Sequence, residues 1–271
     1  MPNAQGTKPL GWRARLGVII PTVNTVTEPE FAAMAPDGVT SHFTRMPIHF
    51  HPEHDDFKEL MDDLEIRLDE LKTCGSTIVA YNCTVGSMAC PADMLKAKLE
   101  SVTGAPAVAT ASSVLQALET LGVTRISMAT PYSEETNAHE KGYLADHGVE
   151  VVAMAGYDFS KKETSGGPKG TDYASVAPDE ILVHARAVDR DEAEAVFISC
   201  ANFGSAGIAQ ALEDELGKLV ERSPYENQNT SQEPSGDEQD VRSLRDRLAE
   251  VRDLMAQGKH DEAMKLMEEI Q

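Results

Sequence analysis

Nowhere in these 271 residues is there an apolar run of the roughly 18 residues that crossing a bilayer requires. Met1 to Leu10 also lacks the hydrophobic segment of a signal peptide. A cytoplasmic protein without a membrane partner is therefore expected. Cysteine is scarce: Cys74, Cys83, Cys90 and Cys200 are too few for a disulfide scaffold, and none has the C-x-x-C spacing of a zinc or redox site. Basic residues are short as well, with 24 Lys and Arg against 45 Asp and Glu, a formal charge of -21. That balance disfavours nucleic acid and anionic surfaces, and an anionic small molecule would have to be held by neutral backbone donors. Neither a phosphate-cradling G-x-x-x-x-G-K-S/T nor a dinucleotide G-x-G-x-x-G follows any strand.

What the chain does have is alternation. Leu16 to Ile20 reads as a compact strand stopped by Pro21, with Thr25 or Thr27 placed to cap a helix through Phe31. A strand from Val39 to Ile48 follows, then a helix over 55–73 on the spacing of Leu60, Leu64, Ile66, Leu68 and Leu71. Ser76 to Cys83 is a strand, and Pro91 opens the next helix. Pro106 to Ala109, Thr124 to Ala129, Val149 to Ala155 and Ala195 to Cys200 read as further strands, with helices over 112–121, from Ser133 toward Gly148, and from Pro178 to Val188. Strict β and α alternation argues for parallel sheets covered by helices. The pattern also repeats, because Cys83 and Cys200 are separated by nearly the same interval as the strand-ending Pro21 and Pro131.

The expected division is a first α/β half over 1–105, a second over 106–222, an acidic Ser/Asn/Gln-rich linker over 223–239 and a helical hairpin over 240–271. The hairpin rests on the apolar stripe Val241, Leu244, Leu248, Val251 and Met255, resumed at Ala263, Met267 and Ile270. Such a unit cannot bury its face alone, so it is expected to pack on the main body or on another subunit, and the protein to form a homo-oligomer. Residues 156–177 form a long polar loop.

Two stretches carry chemistry. Ser76 to Ser87 and Ala195 to Ser205 each deliver a cysteine from an apolar strand into a small-residue turn, at the sheet edge where open α/β folds bind ligands. Backbone N–H groups of Thr84, Val85, Ala201 and Asn202 are candidate carboxylate donors, and helix-terminal amides lower a thiol pKa. Cys83 and Cys200 can serve as base and acid on opposite faces of a small substrate, or as nucleophile and proton donor. Each alone reads first as a core filler, and it is the matched pair that brings function forward. Cys74 reads as structural and Cys90 as a loop residue near the site mouth. His49, His51, His54, Asp55 and Asp56 suggest a metal cluster, but without further ligand spacing they read as a solvated loop, and no metal is expected.

The run from Gly11 to Thr25, with Glu28-Pro29-Glu30-Phe31, and then Cys83-Thr84, Thr130-Pro131-Tyr132 and Ser199-Cys200, resembles the maleate cis-trans isomerase and arylmalonate decarboxylase group of the aspartate/glutamate racemase superfamily. The resemblance covers about residues 11–218. It implies two flavodoxin-like domains related by a pseudo-twofold, no cofactor, and a site between them for a small carboxylic or dicarboxylic acid such as maleate. On it, Cys83 matches the cysteine that attacks the alkene and Cys200 the one that moves the proton. Asn24 matches an amide holding a substrate carboxylate, and Tyr132 a hydroxyl opposite. Racemisation of a small acid also uses two cysteines, and a non-catalytic binding protein on the same fold is the alternative of another class. Two departures stand out. Asp172 or Tyr173 occupies the place of a second substrate-binding asparagine, and the acidic linker and hairpin replace the group's closing helix.

Overall fold

In the computed structural model, residues 8–48, 57–162, 171–217 and 219–220 are described. The histidine-rich stretch 49–56, the linker and the hairpin lie outside them. Among the described residues, eight strands form two four-stranded sheets. In the first, β1 (Ala14–Pro21) lies between β2 (Val39–Met46) and β3 (Ile78–Tyr81), and β4 (Ala107–Ala109) flanks β3. In the second, β5 (Arg125–Thr130) lies between β6 (Glu150–Gly156) and β7 (Ala195–Ile198), with β8 (Leu219–Val220) outside β7. Every pairing is parallel, and both sheets have the order 2-1-3-4 when each is counted from its own first strand. The repeat expected from the cysteine and proline intervals is thus present as topology.

The strands are short and apolar because helices cover them. Val18, Ile19 and Ile20 of β1 have no exposed surface. Among the described residues the cover comes from α1 (Thr27–Met34), α2 (Phe57–Thr73), α3 (Thr84–Met88), α4 (Ala92–Thr103), α5 (Thr110–Thr120), α6 (Glu134–Asp146), α7 (Pro178–Val188) and α8 (Ala209–Leu216). In α2, Leu60, Leu64, Leu68 and Leu71 go fully into the first core. At about 2 kcal/mol per buried leucine they are a main source of that half's stability. Ile66, counted with them on the sequence, is 55% exposed. It sits two residues from Leu64, about 200° round the helix, on the opposite face. Trp12 is an anchor of the lead-in, its indole lying where a side chain on Gly38 would go.

The 105/106 division expected from the sequence falls just before β4. Ala107 and Ala109 pair with Val79 and Tyr81, so this strand closes the first sheet. The crossover is α5, whose Val114 and Leu118 pack with Ile126 and Met128 of the second sheet. A three-residue strand carries no signal of which neighbour it will join. Among the described residues, no helix is long and apolar enough to cross a membrane.

The order 2-1-3-4 fixes where a ligand would sit. The loops after β1 and β3 leave in opposite directions, opening a crevice beyond the strands' carboxyl ends, and the same holds for β5 and β7. Asn24 follows β1, Cys83 follows β3, Tyr132 follows β5 and Cys200 follows β7.

Candidate active site

Cys83 leaves β3 in an extended conformation and caps α3: its Sγ accepts from the Gly86 N–H at 3.4 Å, and its carbonyl accepts from Ser87 N–H at 2.9 Å. The Tyr81 hydroxyl is a second donor to the sulfur. Gly86 makes this approach possible, since a Cβ there would lie 2.4 Å from the Tyr81 oxygen and 3.0 Å from the thiol. The thiol is nearly enclosed, and burial pushes it up to about 11 against the pull of the Gly86 amide and Tyr81. The expected lowering by helix amides is therefore present but outweighed by desolvation.

Cys200 is reached differently. Among the described residues it is the one non-glycine with positive φ, at 96°, a region that costs a side chain on the order of 1–3 kcal/mol. Bonds on both sides hold it there. Ser199 N–H donates to Ala129 O at 2.9 Å, Phe203 N–H donates to Cys200 O at 3.0 Å, and Asn202 N–H reaches the sulfur at 3.4 Å. The Tyr132 hydroxyl also bonds the thiol. Burial pushes Cys200 up to about 12, with the fields of Cys83 and Glu140 adding to the rise. The two sulfurs are thus close enough to interact electrostatically across the crevice, and the donors that reach them are two amides and two phenols.

Tyr132 is held by Thr130, whose Oγ1 accepts from the Tyr132 N–H at 3.0 Å and donates to Asn137 Oδ1 at 2.7 Å. Its ring meets Tyr173 edge to face at 5.9 Å, and Tyr173 in turn feels the charge of Cys200. Of the two residues considered for the place of the second asparagine, Tyr173 is the one beside Tyr132 and Cys200.

Asn24 is fully buried, and its Nδ2 donates to Thr27 Oγ1 at 2.9 Å and to Ala201 O at 3.0 Å. Oδ1 accepts from the N–H groups of Val26 and Thr27, turning the chain into α1. Asn24 thus joins the two halves in this structure. Asn202 returns the contact, accepting from Thr25 N–H at 2.9 Å and donating to Val23 O at 3.3 Å. The expected side-chain cap from Thr25 or Thr27 is thereby supplied by Asn24 instead. Thr84 and Val85 form the first turn of α3, where amides lack intrahelical acceptors, and Ala201 gives its carbonyl to Asn24 and to Thr27 Oγ1. Cys90, expected at the mouth, is buried in the first core, whereas Cys74 is exposed. Among the described residues, no group of three His, Cys, Asp or Glu side chains could hold a metal ion.

The family model for arylmalonate decarboxylase matches residues 16–228, spanning both sheets and both cysteines. The chain belongs to the arylmalonate decarboxylase family. The chain is similar to two maleate isomerases, from Alcaligenes faecalis, 26% identical over 225 residues (76% of this chain and 85% of that protein), and from Geobacillus stearothermophilus, 25% identical over 224 residues with the same coverage. Among solved structures, a cysteine-to-serine variant of the Nocardia farcinica maleate cis-trans isomerase, with a covalently bound succinylcysteine intermediate, superposes with a TM-score of 0.66 at 20% identity, over 77% of this chain and 87% of that one. At that identity the likeness is one of fold.

Sequence reasoning missed Tyr81 and Glu140. On the sequence Tyr81 reads only as part of the strand from Ser76 to Cys83. Glu140 sits in a helix whose acids suggest a solvent face, yet Asn137, Glu140 and Leu144 are all buried. Their spacing of three and four was the available signal: if Leu144 faces in, so does the residue one turn before it.

Proposed function

We propose that this protein is a cis-trans isomerase of a small cis-dicarboxylic acid, maleate being the first candidate, working through Cys83 and Cys200. The observation that carries the reading is the thiol pair. Each sulfur lies at the switch point of its own sheet, the two interact electrostatically, and each has a phenol donor. Family membership and the maleate isomerases among the relatives supply the reaction class.

Cys83 is assigned as nucleophile because, on the resemblance to the isomerases, it matches the cysteine that attacks the alkene, and it caps α3 with an amide and a phenol on its sulfur. Its thiolate adds to one alkene carbon, and the electron pair of the double bond moves to the other as an enolate. Cys200 gives its proton to that carbon. The remaining single bond rotates, the Cys200 thiolate removes a proton, the double bond reforms as trans, and the Cys83 thiolate leaves. Amides of Thr84 and Val85 on one side, with the Ala201 N–H and Tyr132 on the other, are the proposed substrate-facing groups, Asn24 and Asn202 holding the loops that carry them. The rotating bond needs no electron carrier, and the reading invokes no cofactor.

Proton NMR of maleate with the protein in deuterated water tests this. Conversion to fumarate that vanishes in Cys83→Ser is the expected result. Deuterium entering a stereocentre of a saturated acid, with no alkene conversion, would replace isomerisation with racemisation. A folded protein inert toward a panel of small acids would refute catalysis.

A further inference from the structure

A buried carboxyl stands behind Cys200. Glu140 of α6 has no exposed surface, and its Oε1 accepts from the Ser199 hydroxyl at 2.6 Å, Ser199 being the residue directly before Cys200. Its Oε2 is buried and has no hydrogen-bond partner among the described residues. A carboxylate placed this way is costly to ionise, and burial pushes Glu140 up to about 7, with the Ser199 bond opposing.

Its field is one-sided. Glu140 raises both Cys200 and Tyr132, whereas the groups acting on Cys83 are its own burial, Gly86 and Tyr81. The surroundings contain little else that titrates. Tyr132 lies on the loop entering α6, and Cys200 follows β7. The packed helix α3 has no charged side chain, and the one ionisable residue of β6, Glu150, is at its exposed end. On α6 itself Tyr143 faces toward Cys90, while His139, Glu134, Glu135, Lys141 and Asp146 are exposed.

We propose that Glu140 is a positioning residue that divides the labour between the thiols: its carboxylate, anchored on Ser199, holds Cys200 as the thiol and leaves Cys83 as the cysteine that ionises. The inference rests on the cysteine-pair reading but is tested without substrate. Glu140 makes no bond to the reacting atoms; it acts through the proton on Cys200, which goes to solvent when that thiol ionises.

The test is alkylation of the whole chain by iodoacetamide, with the Cys83 and Cys200 peptides resolved by mass spectrometry. Glu140→Gln keeps the shape and an acceptor for Ser199. At pH 8.5, where Glu140 is charged, the variant's Cys200 should react about threefold faster, roughly half a pH unit of thiol acidity, while the Cys83 rate stays at the wild-type value. At pH 5.5, where the wild-type carboxyl is already neutral, the two proteins should converge. Glu140→Asp, which restores the charge, should return Cys200 toward the wild-type rate. Ser199→Ala removes the bond that keeps Glu140 acidic, so at pH 7.5 its Cys200 should approach the glutamine variant. Equal changes at both cysteines, no change at Cys200, or an aspartate variant indistinguishable from the glutamine one would overturn the proposal. Because alkylation needs no turnover, an absence of maleate isomerisation would count against the proposed function and leave this result standing.

Discussion

The loops after β3 and β7 hold equivalent places in two sheets of identical strand order, yet they present their cysteines in different ways. Cys83 exits in relaxed extended geometry and caps a helix; Cys200 is held at φ 96° by bonds from residues on either side. Each sulfur has one amide and one phenol donor, and each is raised by burial. Beyond the backbone, they differ in that Cys200 alone has a buried carboxyl near it, Glu140, reached through Ser199. A repeated frame thus brings two like groups together, and a single non-repeated residue makes them unlike. That asymmetry suits a reaction in which one sulfur bonds carbon while the other carries a proton.

The widest gap between the loops should appear in their serine variants. Cys200→Ser is expected to lose about 10²- to 10⁴-fold in turnover of maleate, the usual worth of a positioned acid or base, while intact-mass analysis still finds a substrate adduct on Cys83. Cys83→Ser should give neither turnover nor adduct. An adduct on Cys200 would exchange the two roles.

Next in size is the seam between the halves. Asn24→Ala strips the partner from the amides of Val26 and Thr27 and leaves Ala201 O with Thr27 Oγ1 alone, and should destabilise the protein by about 2 kcal/mol in urea titration, at roughly 1 kcal/mol or more per buried group left unpaired. Asn202→Ala, which breaks two cross-half bonds, should cost less. The opposite order would place the main tether in the second half.

The smallest effect concerns backbone strain. Cys200→Gly relieves a positive φ, so it should cost about 1 kcal/mol less stability than Cys83→Gly, where φ is already unstrained and glycine only adds freedom to the unfolded chain. Equal costs would mean that Cys200 pays little for its conformation.

Much of this frame was legible in the chain. Alternating apolar strands and amphipathic helices, the doubled cysteine and the prolines after the first strand of each half followed from local spacing, because burial on one helix face or in a strand imposes a period on the sequence. The order of strands was not, since the three residues of β4 contain nothing that chooses a sheet. Nor was the fate of Asn24, whose side chain suits a turn, a substrate or a tether equally well until Ala201, 177 positions away, meets it. The histidine-rich stretch and the tail were read on the sequence and lie outside the described residues.

The sequence by itself determined which atoms are available: two thiols at strand ends, small residues around them, and a shortage of cations that leaves binding to neutral donors. The tertiary structure alone decided their acidity and their pairing. A thiol's pKa depends on what is buried around it and which charges are near, and both are set by segments distant in the chain: Tyr132 and Glu140 act on Cys200 from about sixty residues away because β5, α6 and β7 close on one another.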